Sequence, residues 1–243
     1  MLLSFYLTLV LLVNPPRIDS AEKLLEAMQK KYAGKWARTL TFTQHNTHYE
    51  KDTISGTSIW YEAIQYPDKF RIDFGEPTVG NAVLFTNDSV YQFKSKELTA
   101  SKKQVNNLML LAGGIYFLSK EKALQRLTEA GHNLAAFHED VWNGRQVYVV
   151  GARQGDVQSN QFWLDKEHLY LVRTLAAQPN GHIQEAQFSK HIRTAGGWTE
   201  TEVLFLTDGK PQQLEVYKNL QANIPLPEGL FSAHLFGKVH WIP

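Results

Sequence analysis

Residues 58–93 read SIWYEAIQYPDKFRIDFGEPTVGNAVLFTNDSVYQF. β-Branched and aromatic residues dominate 58–65, as suits a pleated, half-buried strand. Tyr66-Pro67-Asp68 interrupts it, because proline brings no N–H to a ladder and restricts the residue before it. From Phe70 to Phe74 apolar and charged residues alternate strictly, so Phe70, Ile72 and Phe74 share one face and Arg71 and Asp73 the other. Gly75, Pro77 and Gly80 turn the chain into a short apolar run at 82–85, and Asn87-Asp88 turns it back at 90–93. The stretch predicts a four-stranded antiparallel meander with one apolar side.

Outward from it the pattern continues. Residues 36–49 read as a long strand. Asp19-Ser20-Ala21-Glu22 has a capping-box form ahead of Leu24, Leu25, Met28 and Tyr32, which lie at helical spacing; Gly34 is a stop. Lys94-Ser95-Lys96-Glu97 and Lys102-Lys103 form the one basic cluster and read as a solvated loop. Residues 105–118 are nearly all apolar and must be covered. Asn107 to Ala112 could make a turn or two of helix, whereas Gly113 and Gly114 would each cost about 1 kcal/mol inside one. Ser119 caps an amphipathic helix that Gly131 ends. Asn143-Gly144 between two strand-like runs predicts a type I′ hairpin. Further strands follow to about residue 220, with turn signals at Asp165 to His168, Ala195 to Gly197 and Asp208-Gly209.

The expectation is one α+β domain of about eleven or twelve strands, a size at which β sandwiches and barrels still form single units of about 200–250 residues. The chain has 243 residues, of which 43% are hydrophobic, enough for a large core and too many for disorder. A net charge of +1 gives no electrostatic footprint for nucleic acid.

Residues 2–13, LLSFYLTLVLLV, carry no charge. A membrane span needs about 20 apolar residues, so this run reads as the core of a signal peptide covering residues 1–20, with Ser20-Ala21 as the cleavage point. The mature chain, 21–243, is then exported and not membrane-spanning. It contains no cysteine, so neither a disulfide nor a lipidated thiol is available to it.

No catalytic signature survives inspection. His45 and His48, three apart on a strand, fall on opposite faces and cannot share an ion without a bulge; His182 and His191 are also at odd spacing. There is no H-E-x-x-H, no G-x-S-x-G elbow, no P-loop and no G-x-G-x-x-G. The chain reads as a non-enzyme with no cofactor. A curved antiparallel sheet with an apolar concave face either is a filled core or encloses an apolar pocket, and Phe70, Ile72, Phe74, Tyr91 and Phe93 suit both.

Several segments resemble the outer-membrane lipoprotein-sorting superfamily, the LolA/LolB-like periplasmic carriers and receptors, and most nearly its longer uncharacterised members. They are Thr39-Leu40-Thr41-Phe42-Thr43-Gln44, Ile59-Trp60-Tyr61, Tyr66-Pro67-Asp68-Lys69-Phe70, residues 83–91 and residues 224–231 (IPLPEGLF). The resemblance implies an incomplete antiparallel β-barrel whose concave face, covered or plugged by helices, receives lipid or lipoprotein acyl chains in the periplasm, with an inner-membrane donor or outer-membrane acceptor as partners. Residues 105–118 would be the lid or plug. The implied cavity residues are Phe70, Ile72, Phe74, Leu84, Tyr91, Phe93, Leu108, Leu111 and Tyr116. Family carriers have an arginine before the proline of the R-P-x-x-F segment that latches the closed lid. Tyr66 stands there in this chain, so binding of a hydrophobic ligand is implied more directly than shuttling of lipoproteins. The rival reading is an interaction or sensor protein whose barrel is simply packed.

Overall fold

A computed structural model describes residues 17–241. The apolar run at 2–13 therefore lies outside the described residues. α1 (Ala21–Tyr32) opens the described fold, with Ser20 as its N-cap accepting from the Lys23 amide at 3.2 Å. Six strands follow as a meander: β1 (Thr39–Glu50), β2 (Thr53–Gln65), β3 (Lys69–Phe74), β4 (Ala82–Thr86), β5 (Ser89–Lys94) and β6 (Glu97–Lys103). Two helices, α2 (Asn107–Ala112) and α3 (Lys120–Glu129), carry the chain to a second set. These are β7 (Phe137–Trp142), β8 (Arg145–Val150), β9 (Gln161–Asp165), β10 (Leu171–Ala177), β11 (Ile183–Ser189), β12 (Ile192–Thr194), β13 (Gly197–Thr199), β14 (Glu202–Thr207) and β15 (Lys210–Ala222).

Thirteen strands form one antiparallel sheet in the order β6-β5-β4-β3-β2-β1-β15-β14-β11-β10-β9-β8-β7, and β12 and β13 make a separate two-stranded arm. Twisted open sheets rarely pass about ten strands without curling, and this one forms the incomplete barrel expected of a single α+β domain. The seam is at its centre, where the long β1 and β15 pair and join the two meanders. The edges, β6 and β7, stay apart, and the connection carrying α2 and α3 leads from one to the other.

The 94–103 stretch is a correction to the loop reading. Ser95 and Lys96 take positive φ as a two-residue turn, and β6 returns as a fully exposed edge strand. Its lysines suit that place, because charged side chains discourage pairing with another chain. Lys51-Asp52 and Asn87-Asp88 make the same kind of turn, as does Asn143-Gly144.

The sheet has two buried faces. The inner one packs against Leu24, Leu25, Met28 and Tyr32 of α1, Met109 to Leu111 of α2, and Leu127 of α3 in one continuous core. The outer face of β3–β5 is covered by the C-terminal segment through Leu230, Phe231, Phe236 and Trp241. Here the strict alternation at 70–74 has an unexpected outcome, since its charged side is not solvated. Arg71 and Asp73 are both 0% exposed. The guanidinium donates from Nε and Nη2 to the two Asp73 oxygens at 2.8 and 2.9 Å, and from Nη1 to the Val239 carbonyl at 2.9 Å. It also lies over the Phe236 ring, 4.7 Å from its centre. Burial of such a pair is tolerable only with this degree of hydrogen bonding.

Candidate ligand-binding cavity

A cavity of about 220 Å³ lies between α2 and the inner face of β1–β4 and β15. Its walls follow from strand alternation. β1 contributes Leu40 and Phe42, β2 Trp60 and Ile64, β3 Phe70 and Ile72, and β4 Phe85; Leu108 and Met109 of α2 form the roof. Phe70, Ile72, Phe85 and Leu108 are only half-buried, so the apolar lining is open to an occupant. The Phe70 and Phe85 rings stack at 6.1 Å, and Phe42 stacks on Tyr217 at 4.2 Å. A second cavity of about 640 Å³ lies against β10, β11 and β14 and is lined by Leu111, Leu175 and Leu206. Leu108 and Phe205 border both spaces. The second volume falls within the roughly 300–1,000 Å³ usual for small-molecule sites and the first just below it.

The roof is held by local chemistry. Asn106 caps α2, its Oδ1 accepting from the Met109 amide at 3.0 Å. α2 then ends at Gly113, and the two glycines that ruled out a longer helix allow the roof to meet Tyr66-Pro67. A Cβ on Gly113 would stand 2.2 Å from Tyr66 Cζ, and one on Gly114 2.8 Å from the Pro67 carbonyl oxygen. Tyr66 is 4% exposed and stacks on Phe117 at 5.8 Å. Burial pushes its phenol well above the ordinary range, so it stays neutral. Gln29 of α1 donates to the Ile115 and Leu118 carbonyls and ties α1 to the segment after α2.

Polar groups enter the same cavity. Gln44, Glu62, Glu200, Glu215 and Tyr217 line it, and among the described residues no lysine, arginine or histidine does. Glu215 accepts from Gln213 Nε2 at 2.7 Å and from the Tyr217 hydroxyl at 3.0 Å. Burial nevertheless pushes its carboxyl up to about 7. Glu200, on the loop after β13, is likewise raised to about 7, chiefly by burial and further by Glu215. Glu62 is raised well above the usual carboxylate range by burial and then by the charge of Glu215. Among the described residues, no group of three or more His, Asp or Glu could hold a metal ion.

The expected cavity residues divide three ways. Phe70, Ile72 and Leu108 line the first cavity, as does Tyr66; Leu111 lines the second. Phe74 shares the face of Phe70 but packs edge-on against Trp60 at 4.8 Å, beyond the lining. Tyr116 sits beside α1, stacked on Trp36 at 3.8 Å and donating to the Leu169 carbonyl. Leu84, Tyr91 and Phe93 are on the outer face, a correction with a clear cause. Register pairs Leu84 with Arg71 and Tyr91 with Leu84, which places them with the ion pair under the C-terminal segment. Phe93 stacks there on Phe236 at 3.8 Å.

The carboxyls escaped the sequence reading. A usable signal was present, because Trp60, Glu62 and Ile64 are alternate residues of one strand. A carboxylate between two large apolar residues of one face lies on the buried side. Nothing comparable marks Glu200, which reaches the cavity from a loop.

No family model matches the sequence, and no curated protein matches it. Solved structures do. A DUF1329 family protein from Desulfovibrio piger superposes with a TM-score of 0.58 at 12% identity, over 88% of this chain and 97% of that one. A domain assigned to outer membrane lipoprotein sorting from Vibrio parahaemolyticus gives 0.55 at 12% identity, over 89% and 97%. A LolA superfamily protein from Nitrosomonas europaea gives 0.52 at 10% identity, over 88% and 98%. The chain has a LolA-like fold.

Proposed function

We propose that this protein is a non-enzymatic binding or carrier protein that holds a lipid or lipoprotein acyl chain in the inner cavity. One observation carries the reading: Ile72, Leu108 and the stacked rings of Phe70 and Phe85 border one inner cavity and keep part of their apolar surface uncovered by protein. An alkyl chain entering there removes apolar area from water on all sides, at roughly 25 cal/mol per Å². Leu108, between the two cavities, is the side chain a long ligand would displace to occupy both. Tyr66 takes the place of a latch by contact under Gly113, without the forked hydrogen bonds that an arginine would supply.

The neighbours named for lipoprotein sorting and for the LolA superfamily support this reading at the level of fold. The apolar run at residues 2–13 supports export, with a mature chain beginning near Ala21 and working in the periplasm. No helix among the described residues is long and apolar enough to cross a membrane. A membrane donor and acceptor are the partners such a carrier would serve. Native mass spectrometry of protein isolated from a periplasmic fraction tests the proposal. Lipid retained at near one molecule per chain is the expected result, and lipid-free protein with no uptake of added lipid would favour the packed barrel that binds a partner through its surface.

A further inference from the structure

The inner cavity is apolar in outline but not in charge. Three carboxyls, Glu62, Glu200 and Glu215, open onto it with no cationic side chain among its described lining residues. Two other buried carboxylates of the chain have an arginine beside them. Asp73 has Arg71 at 2.8 Å, and Glu185 has Arg173 at 2.7 Å. Glu62 is as deeply placed, at 3% exposure, yet no protein donor hydrogen-bonds its side chain among the described contacts. An ionised carboxyl buried without a partner is costly, and a neighbouring cation offsets that cost. Aromatic side chains, Phe42, Trp60, Trp198 and Tyr217 among them, border the same space, and ring faces attract cations that have shed water.

We propose that the cavity selects amphiphiles with a protonated amine at the polar end, the ammonium seated on Glu62 and neighboured by Glu200 and Glu215, the chain lying along Phe70, Ile72 and Leu108. This deepens the acyl-binding reading and rests on it. An ammonium brings three donors and no acceptor, which matches a set of carboxyls. A fatty-acid carboxylate would bring a further acidic group to a space that holds no cation among the described residues. An alcohol could hydrogen-bond there without any charge to compensate.

Binding has a proton signature. The titratable groups facing the cavity are Glu62 from β2, Glu200 from the loop after β13, Glu215 and Tyr217 from β15, and Tyr66 beneath the roof; α2 contributes none. Burial raises all five above their ordinary ranges. The tyrosines stay neutral throughout, while Glu200 and Glu215, raised to about 7, are partly protonated near neutral pH and Glu62 is shifted in the same direction. A bound ammonium stabilises the ionised carboxylate, so the ligand keeps its proton and the acid releases one to solvent. Amine affinity therefore rises with pH through neutrality.

Titration calorimetry of the protein with decylamine, decanol and decanoate, each in two buffers of different ionisation heat, tests this. The amine is expected to bind about tenfold or more tighter than the alcohol, the worth of one charge-assisted hydrogen bond, and to release protons where the alcohol does not. Glu62→Gln should cut the amine-to-alcohol ratio about tenfold and reduce the proton release. Should that variant fold poorly, Glu200→Gln on its loop asks the same question. Equal binding of amine and alcohol, or tightest binding of decanoate, overturns the inference and leaves acyl binding standing. Binding by none of the three overturns the acyl-binding reading itself, and this inference with it.

Discussion

Gly113→Ala examines how closely the roof sits on Tyr66. The added Cβ would lie 2.2, 2.4 and 2.6 Å from Cζ, Cε1 and Oη of that ring, against 3.4 Å for ordinary contact. The overlap is with the hydroxyl end of a rigid, buried ring, and stacking on Phe117 keeps that ring from swinging aside. The cost is overpacking, about 1–3 kcal/mol, which in a chain of this size lowers the melting temperature by roughly 2–4 °C per kcal/mol. Tyr66→Leu removes the three clashing atoms, so Gly113→Ala in that background should cost much less. Thermal and denaturant unfolding of the four proteins of the cycle gives the coupling, expected to exceed about 1 kcal/mol, since residues in contact depart from additivity. Costs that add to within about 0.5 kcal/mol would refute the reasoning and mean that the roof does not rest on Tyr66.

Two further predictions separate the faces of the sheet and its carboxyls. Leu84→Ala, at a fully buried outer-face position, should cost about 2–5 kcal/mol and leave displacement of a fluorescent acyl probe unchanged in the folded protein. Phe70→Ala should cost less than the roughly 3–5 kcal/mol of a packed phenylalanine and weaken probe binding; the opposite pattern would make Phe70 core and the cavity reading wrong. For pH, Glu200 and Glu215 are raised to about 7 in the folded state, so the folded chain holds more protons than the unfolded one across that window. Their contribution to stability is fully present below the ordinary carboxylate range and falls as pH rises towards neutrality. Denaturant midpoints at about pH 5 and about pH 8 should show it, with Glu215→Gln flattening the difference; buried His191, lowered to about 4, adds an opposite slope to both proteins, so equal pH dependence of wild type and variant would contradict the burial of this carboxyl.

Local pattern carries far in this chain because strand alternation, turn residues and caps act over a few neighbouring positions. Residues 70–74, Asn143-Gly144, Ser20 and Ser119 each state their conformation without reference to anything distant, and together they imply one mostly antiparallel α+β domain, while the half-barrel with a helical cover is what the resemblance to the lipoprotein-sorting superfamily implies. Alternation also groups Phe70 with Ile72 on one face. It cannot say which face of a sheet meets solvent when both are covered. That depends on segments far away in the chain: the C-terminal residues 230–241 bury Arg71 and Asp73 and claim Leu84, Tyr91 and Phe93, while α2 leaves Phe70 and Ile72 beside an open space. Ser95-Lys96 became a turn and β6 a strand because pairing with β5 outweighed weak local preference. The carboxyl set is the most tertiary feature of all. Glu62, Glu200 and Glu215 come from two strands and a loop, and only the pairing of β1 with both β2 and β15, together with the β12–β13 arm, brings them into one cavity where burial can raise their pKa values.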